Sequence, residues 1–498
     1  MHREQTDEDA MKSSENAKES RGETIQSSAA AKESRGETVK ERIAAALVEF
    51  RRLFEAFERA GFKLYAVGGC VRDWVLGRVP KDIDFTTDAL PSETKAILAA
   101  NQYPVIPVGE VFGTIATNID KKTYEITTFR VKESYTRGSR HPVVCYGRDL
   151  ALDLERRDLT INAMAASISG EIVDPFDGLG DLERRVLRVP RSSYERSVDI
   201  FSDDPLRILR LARFKARLGF DVDIDAQRAA RDMAGTVLTV SHERWYSEID
   251  GLLSAAHPEA GLSWLDEVGV LSLIVPEMRL LHGAHVAPPS LVPGIAQNSD
   301  IDLWHRILSI LPSIPPDGDL RWCIILGTIG YAVSNQGTWA DSVSTMLARE
   351  ICQRFKFSSA RASSIERKLV SIPSQSPTYR SARELAQAVV PDLDSWIAYQ
   401  DCKCALLPVP CLAHQKAILA AWRDALEPYI ERPESAAIRL PKDLSQKLIE
   451  AFGVSGKTLG LYLSHCRDAV LDEIVAETAP ADEFVDFCRA HDIDEGAL

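Results

Sequence analysis

The chain has 498 residues, 45% of them hydrophobic and 27% charged, the composition of an ordinary soluble globular protein with room for two to four domains. Its net charge of −14 argues against non-specific nucleic-acid binding. No apolar run approaches the roughly 20 residues that cross a bilayer, and the charged start lacks a signal-peptide core, which predicts a cytoplasmic protein without a membrane partner.

Residues 1 to about 40 are rich in Ser, Glu, Lys and Ala, contain no aromatic residue and predict a disordered tail. AKESRGET occurs at 17–24 and again at 31–38, too few copies for a repeat architecture. Order is expected from Val39, where 40–60 shows helical spacing. KLYAVGG then reads as a short strand ending at paired glycines, VRDWVLG as a turn or two of helix and DIDFTT as a second strand. YPVIPV, GTIATNI, KTYEITTFRV and EIVDPF continue the strand texture to about 180. Beyond it, helical periodicity runs to the end, interrupted by a Pro/Gly/Ser-rich stretch at 286–300. The expectation is an α+β front followed by a long all-α rear, with everything after about 181 helical.

Charge is unevenly spread. Thr127–Arg157 carries seven Arg/Lys against four Asp/Glu, and Leu182–Arg217 ten against five, so a local basic groove sits inside an acidic protein. The nine cysteines include no C-x2-C pair, which argues for free thiols over a zinc site.

The strongest chemical signal is VGGCVRDWVLGRVPKDIDFTTDALP at 67–91. Gly68 and Gly69 end a strand where backbone must approach something closely. Asp82 and Asp84 form D-x-D, and strand alternation would put both carboxylates on one face, about 6.5–7 Å apart. Carboxylates so placed suit Mg²⁺, with phosphate oxygens and water as the other ligands. The glycine turn, with Gly69, and the cation Arg72 suit a triphosphate.

These residues resemble motif A of the class II nucleotidyltransferases, which comprise bacterial-type tRNA CCA-adding enzymes and bacterial poly(A) polymerases of the polymerase-β-like superfamily. LERRDLTINAMA at 154–165 is similar to the family's R-R-D-F-T-x-N-A motif, with Leu159 where Phe is usual. DDPLRILRLARFKARLGF at 203–220 is similar to its E-D-x-x-R motif, with Asp203 in place of Glu. The resemblance implies a polymerase-β-like nucleotidyltransferase head with a mixed β-sheet at 41–180. It implies a helical neck at 181–258, a body at 259–430 and a tRNA-binding tail at 431–498.

It further implies catalytic Asp82 and Asp84, with Glu125 as a third carboxylate, and nucleotide contacts from Arg157 and Asp158 supported by Asn162. Asp204 and Arg207 would read the base of CTP or ATP, and Arg210 and Arg213, stepping by three along one helix, would reach triphosphate oxygens. Asp204 before Pro205 has a plainer reading too, as a helix N-cap. Lys442, Lys447 and Lys457 would contact the tRNA backbone. In the body, LWHRILSI and LRWCIILGTIG resemble an HD phosphohydrolase pattern in which Gly327-Thr328 replaces the His-Asp pair, so His305 reads as packing or surface and the body as metal-free. The implied activity is template-independent addition of CMP and AMP to the tRNA 3′ end with Mg²⁺. Poly(A) polymerase, an A-only enzyme and a non-catalytic RNA-binding relic are the alternatives.

Overall fold

In a computed structural model, described for residues 38–107, 109–135, 142–285, 302–333, 341–373, 375–389, 391–404, 406 and 409–491, the chain divides into two compact units. One comprises the residues up to Asp204 with Asp221–Ala229, and the other Pro205–Phe220 with Ala230 onward. The duplicated octapeptide apart from Thr38, most of the Ser/Glu-rich tail and the Pro/Gly/Ser-rich stretch lie outside the described residues.

In the first unit, Thr38 and Glu41 close a capping box that starts helix Val39–Leu47, and helix Arg51–Arg59 follows after one 3-10 turn. The strands are β1 Leu64–Val67, β2 Asp84–Thr87, β3 Thr114–Ile119, β4 Lys122–Thr128, β5 Arg130–Tyr135, β6 Pro142–Tyr146, β7 Ala165–Ala166 and β8 Ile172–Val173. Six of them form one sheet in the order β3-β4-β2-β1-β7-β8. The sheet is mixed, because β2 pairs with β4 in parallel and the remaining pairs are antiparallel. YPVIPV contributes only a bridge, Ile106 to Ala116.

Alternation decides which side chains reach the core. Phe85 of β2 and Tyr124 of β4 turn to one face and meet Phe50 edge-on at 5.1 and 4.9 Å, with Phe54 5.8 Å from Phe85. Asp84, Thr86 and Glu125, one residue out of phase, therefore belong to the opposite face. The sheet is thus anchored by aromatic packing behind and presents carboxylates in front.

A small parallel pair, β9 Val186–Leu187 with β10 Asp221–Val222, corrects the expectation that everything after about 181 is helical. Gly219, at φ +67°, ends helix Leu206–Leu218, and the chain leaves it extended, with Asp221 N–H donating to Arg185 O and Asp223 N–H to Leu187 O.

The second unit is helical among its described residues, apart from an isolated bridge between His285 and Asp302. Helix Leu206–Leu218 buries Ile208, Leu209, Leu211, Ala212 and Phe214. Two separate cores follow, one around Trp396, Trp422 and Leu426, the other around Leu448, Tyr462 and Phe484 in the last three helices. Helix Gly318–Val333 buries almost its whole length, with Thr328 Oγ1 donating to its own helix at Ile324 O. His305 is an exposed side chain whose Nδ1 lies 2.5 Å from Asp302.

Candidate active site

The front of the sheet gathers the first group of expected residues. β2 begins at Asp84, in register with Glu125 across the parallel pair, so the two carboxylates stand on adjacent strands. Asp82 lies in the turn before the strand and not within it, which corrects the reading of D-x-D as a strand alternation. The preceding Pro80 favours that turn over a longer strand. Asp84 is at the surface, yet the protein crowded around its carboxyl pushes it above the ordinary carboxylate range. Glu125 and Asp82 add to that rise, and Arg157 opposes it. Two acids and a guanidinium therefore act on Asp84 at once, the electrostatic signature of a cation-seeking centre.

Behind this face lies a buried polar network. Asp153, fully buried on helix Leu150–Glu155, takes Arg157 Nη2 at 3.2 Å, Arg156 Nη2 at 3.0 Å and the Arg130 N–H at 3.0 Å. Burial alone would raise the Asp153 carboxyl; Arg157, Arg156 and the Arg130 N–H outweigh it and hold the group below its usual range. Asp153 was not among the expected residues. Its signal was present in the sequence, a carboxylate three and four positions before an Arg pair.

Arg72 is corrected. Its guanidinium is 3% exposed, bound to Asp73 at 2.8 Å and to Asn162 Oδ1 at 2.5 Å, and so it braces the site from within where a triphosphate ligand was expected. Asn162 Nδ2 in turn donates to Asp158 Oδ1 at 3.1 Å, which also accepts the Leu159 N–H. Asn162 thus links Arg72 to Asp158. Gly69 starts helix Gly69–Val75, but the conformational demand falls on Gly68, at φ +82°, where a Cβ would stand 3.1 Å from Arg157 Nη1.

Within the second unit, Arg210 and Arg213 share a carboxylate partner. Glu248 of helix His242–Leu253, with its side chain 8% exposed, lies 2.6 Å from Arg213 Nε and 3.9 Å from Arg210. Both also lie beside the Phe214 ring. One nearly buried carboxylate already partners the two cations expected on phosphate. Arg207 is partly exposed on the same helix. Asp204 has an extended backbone between helix Tyr194–Asp203 and Pro205, whose φ and ψ are already helical, an arrangement compatible with the plainer reading of Asp204 as a cap ahead of a first-turn proline. In the tail, Lys442 and Lys457 are exposed, whereas Lys447 is paired with Asp482 at 2.8 Å and Asp443 at 3.4 Å.

Among the described residues no three His, Cys, Asp or Glu side chains converge as a complete metal site. The donors at the sheet front are hard carboxylate oxygens, and Asp84 is pressed by like charges. That suits a divalent cation which keeps waters and substrate oxygens for its remaining positions. Polymerase-type nucleotidyltransferases work with a divalent metal, and this donor set fits one. No helix among the described residues is long and apolar enough to cross a membrane.

Residues 64–188 match the poly A polymerase head domain, and 219–281 match the segment described as the probable RNA and SrmB-binding site of polymerase A. A CCA-adding enzyme of Lactiplantibacillus plantarum is 38% identical over 213 residues, 43% of this chain and 50% of that protein. One of Streptococcus suis is 42% identical over 210 residues, again half of that protein. The chain's match spans about half the length of these curated relatives. Among solved structures, the Bacillus stearothermophilus CCA-adding enzyme in complex with CTP superposes with a TM-score of 0.63 at 24% identity, over 89% of this chain and 98% of that one. The Thermotoga maritima CCA-adding enzyme complexed with tRNA gives 0.54 at 20%, over 91% and 97%. These likenesses agree in fold from the mixed-sheet head through the helical regions. Residues 64–188 are thus similar to the head domain of the poly A polymerase family, the family that the motifs at 67–91 and 154–165 resemble.

Proposed function

We propose that this protein is a nucleotidyltransferase that adds CMP and AMP to the 3′ end of tRNA, drawing on CTP and ATP and releasing pyrophosphate, in the cytoplasm. The observation that carries the reading is the in-register pair Asp84 and Glu125 with Asp82 and Arg157 acting on the same carboxyl. The relatives that match the head and the segment after it are named for CCA addition.

In this reading Asp82 and Asp84 hold Mg²⁺, with Glu125 beside them. A divalent ion held there would supply charge neutralisation for the triphosphate and for the ionising RNA 3′-hydroxyl. The chain's own groups do the positioning. Gly68 and Gly69 let the backbone approach phosphate, and Arg157, steadied from behind by Asp153, adds a cation at the mouth. Asp204 and Arg207 read the base: a carboxylate acceptor and a guanidinium donor fit the amino group and ring nitrogen shared by cytosine and adenine, and leave uracil and guanine mismatched. The proposed domain order is head at 41–180, neck at 181–258, body at 259–430 and tail at 431–498. In the tail, Lys442 and Lys457 are the tRNA-backbone contacts, and Lys447 contributes less because two carboxylates already hold it.

The test is incubation of purified protein with tRNA ending at the discriminator base, at C and at CC, each nucleotide supplied separately. CMP should enter the first two and AMP the third. Incorporation of AMP alone at every end, or runs of AMP, would replace the reading with an A-only or poly(A) activity. No incorporation with any nucleotide would refute it.

A further inference from the structure

In the tail, helix Gly456–Leu471 and helix Ala481–Ala490 close on a core of Leu448, Tyr462, Val470, Phe484 and Val485. Two thiols meet inside it. Cys466 and Cys488 are 0% and 5% exposed, and their Sγ atoms lie 3.5 Å apart in a hydrogen bond. A disulfide needs about 2.05 Å, so small side-chain rotations on two packed helices cover the difference. A metal reading fails. His465 and His491 neighbour the cysteines in sequence, but both lie against the Phe487 ring, at 5.0 and 4.4 Å, and no group of three ligating side chains converges among the described residues.

The two thiols differ in exposure. Either thiol can donate in the contact between them, and when one gives up its proton the other is placed to stabilise the thiolate. Cys488 retains 5% exposure against none at Cys466, so the peroxide is taken to reach Cys488 first.

We propose that Cys466 and Cys488 form a reversible disulfide site, closed by a small peroxide and reopened by a dithiol reductant. Cys488 sulfur attacks one peroxide oxygen; the O–O bond breaks, Cys488 becomes a sulfenic acid, and the other oxygen leaves as water with the thiol's proton. Cys466 sulfur then attacks Cys488 sulfur, the S–O bond breaks, and a second water leaves with the Cys466 proton. Two thiols are oxidised by two electrons and one peroxide is reduced. The product ties the last two described helices together across 22 residues of chain.

The full chain is reduced, desalted, exposed to hydrogen peroxide, denatured, alkylated with N-ethylmaleimide and digested for mass mapping. The expected result is a peptide pair joined through Cys466 and Cys488, two hydrogens lighter than its parts and separated by dithiothreitol. The oxidised native protein should also melt at a higher temperature than the reduced one. In the Cys488→Ser variant, Cys466 should remain alkylated. Recovery of both cysteines as maleimide adducts, their conversion to sulfinic acids without cross-linking, or pairing of either with a different cysteine would overturn the proposal.

Discussion

Two buried arginines, one in each unit, put the same side chain to opposite uses. Arg72 in the head is 2% exposed and meets side chains, Asp73 and Asn162, the second of which passes the contact on to Asp158. Arg321 in the helical unit is 1% exposed and meets backbone, donating to Leu253 O, Ala255 O and Ile314 O at 2.5 to 2.7 Å. The first belongs to a polar network that includes titratable groups beside an open face. The second satisfies three carbonyls between helices and ends there. Buried charge thus marks a site when its partners are side chains that continue to the surface, and marks scaffold when its partners are the chain itself.

The sharpest way to break that contrast is at the head's open face. Asp84→Ala and Asp82→Ala should each lower CMP and AMP incorporation about a thousandfold or more while thermal melting stays near that of the parent. Near-normal turnover in Mg²⁺ would remove these carboxylates from the chemistry. Asp153→Asn should cost about 3–5 kcal/mol of stability, because two guanidinium groups lose their buried counter-charge, and it should also reduce incorporation by releasing Arg157. The parent's share of this stability has a definite pH sense. The Asp153 carboxyl lies low in the folded state, so its contribution is complete above the unfolded value of about 3.9 and is lost as pH falls through the folded one. The stability difference between parent and Asp153→Asn in urea titrations should therefore be smaller at pH 3 than at pH 7.

Arg321→Leu is the counterpart in the second unit. It should cost about 2–5 kcal/mol, since three carbonyls lose a donor, yet leave the choice between CTP and UTP unchanged in the folded protein. A change in base choice would mean that this arginine is more than scaffold. Arg207→Ala should do the reverse, relaxing discrimination against UTP and GTP about ten- to a hundredfold with little change in melting. A slow enzyme as strict as the parent would refute base reading by this helix. The smallest effects belong to the tail. Lys442→Ala and Lys457→Ala should each weaken tRNA binding modestly and reduce its salt dependence by about one counterion, and Lys447→Ala should do less. Filter binding across a salt series measures all three.

The sequence carried the elements of the head well, since strand alternation, the glycine turn and the helix caps are local. Glu125 was legible as a strand carboxylate, and its register with Asp84 follows once β2 and β4 are paired. What stayed hidden was burial and distance. GGCVRD reads as though Arg72 faces a ligand, because a motif carries no sign of which side is inside. Glu248 could not be assigned from spacing, since it lies 35 positions after Arg213 and meets it only through helix packing. The tail shows the same limit in charge: residues 431–498 hold seven Lys/Arg against fourteen Asp/Glu, and Lys447, basic by sequence, sits in an acidic clamp.

Asn162 carries one further consequence. Arg72 donates to its carbonyl oxygen, and its amide nitrogen donates to Asp158. The relay has a direction: the proton-bearing atom of each link points from Arg72 toward Asp158. Only a side chain that receives at one end and gives at the other can sit in the middle. An aspartate there would set two acceptors against each other, a lysine two donors, and a leucine would break the line. The carboxamide is therefore a grammatical joint between a cation and an anion, and its orientation is set by its neighbours before any substrate arrives.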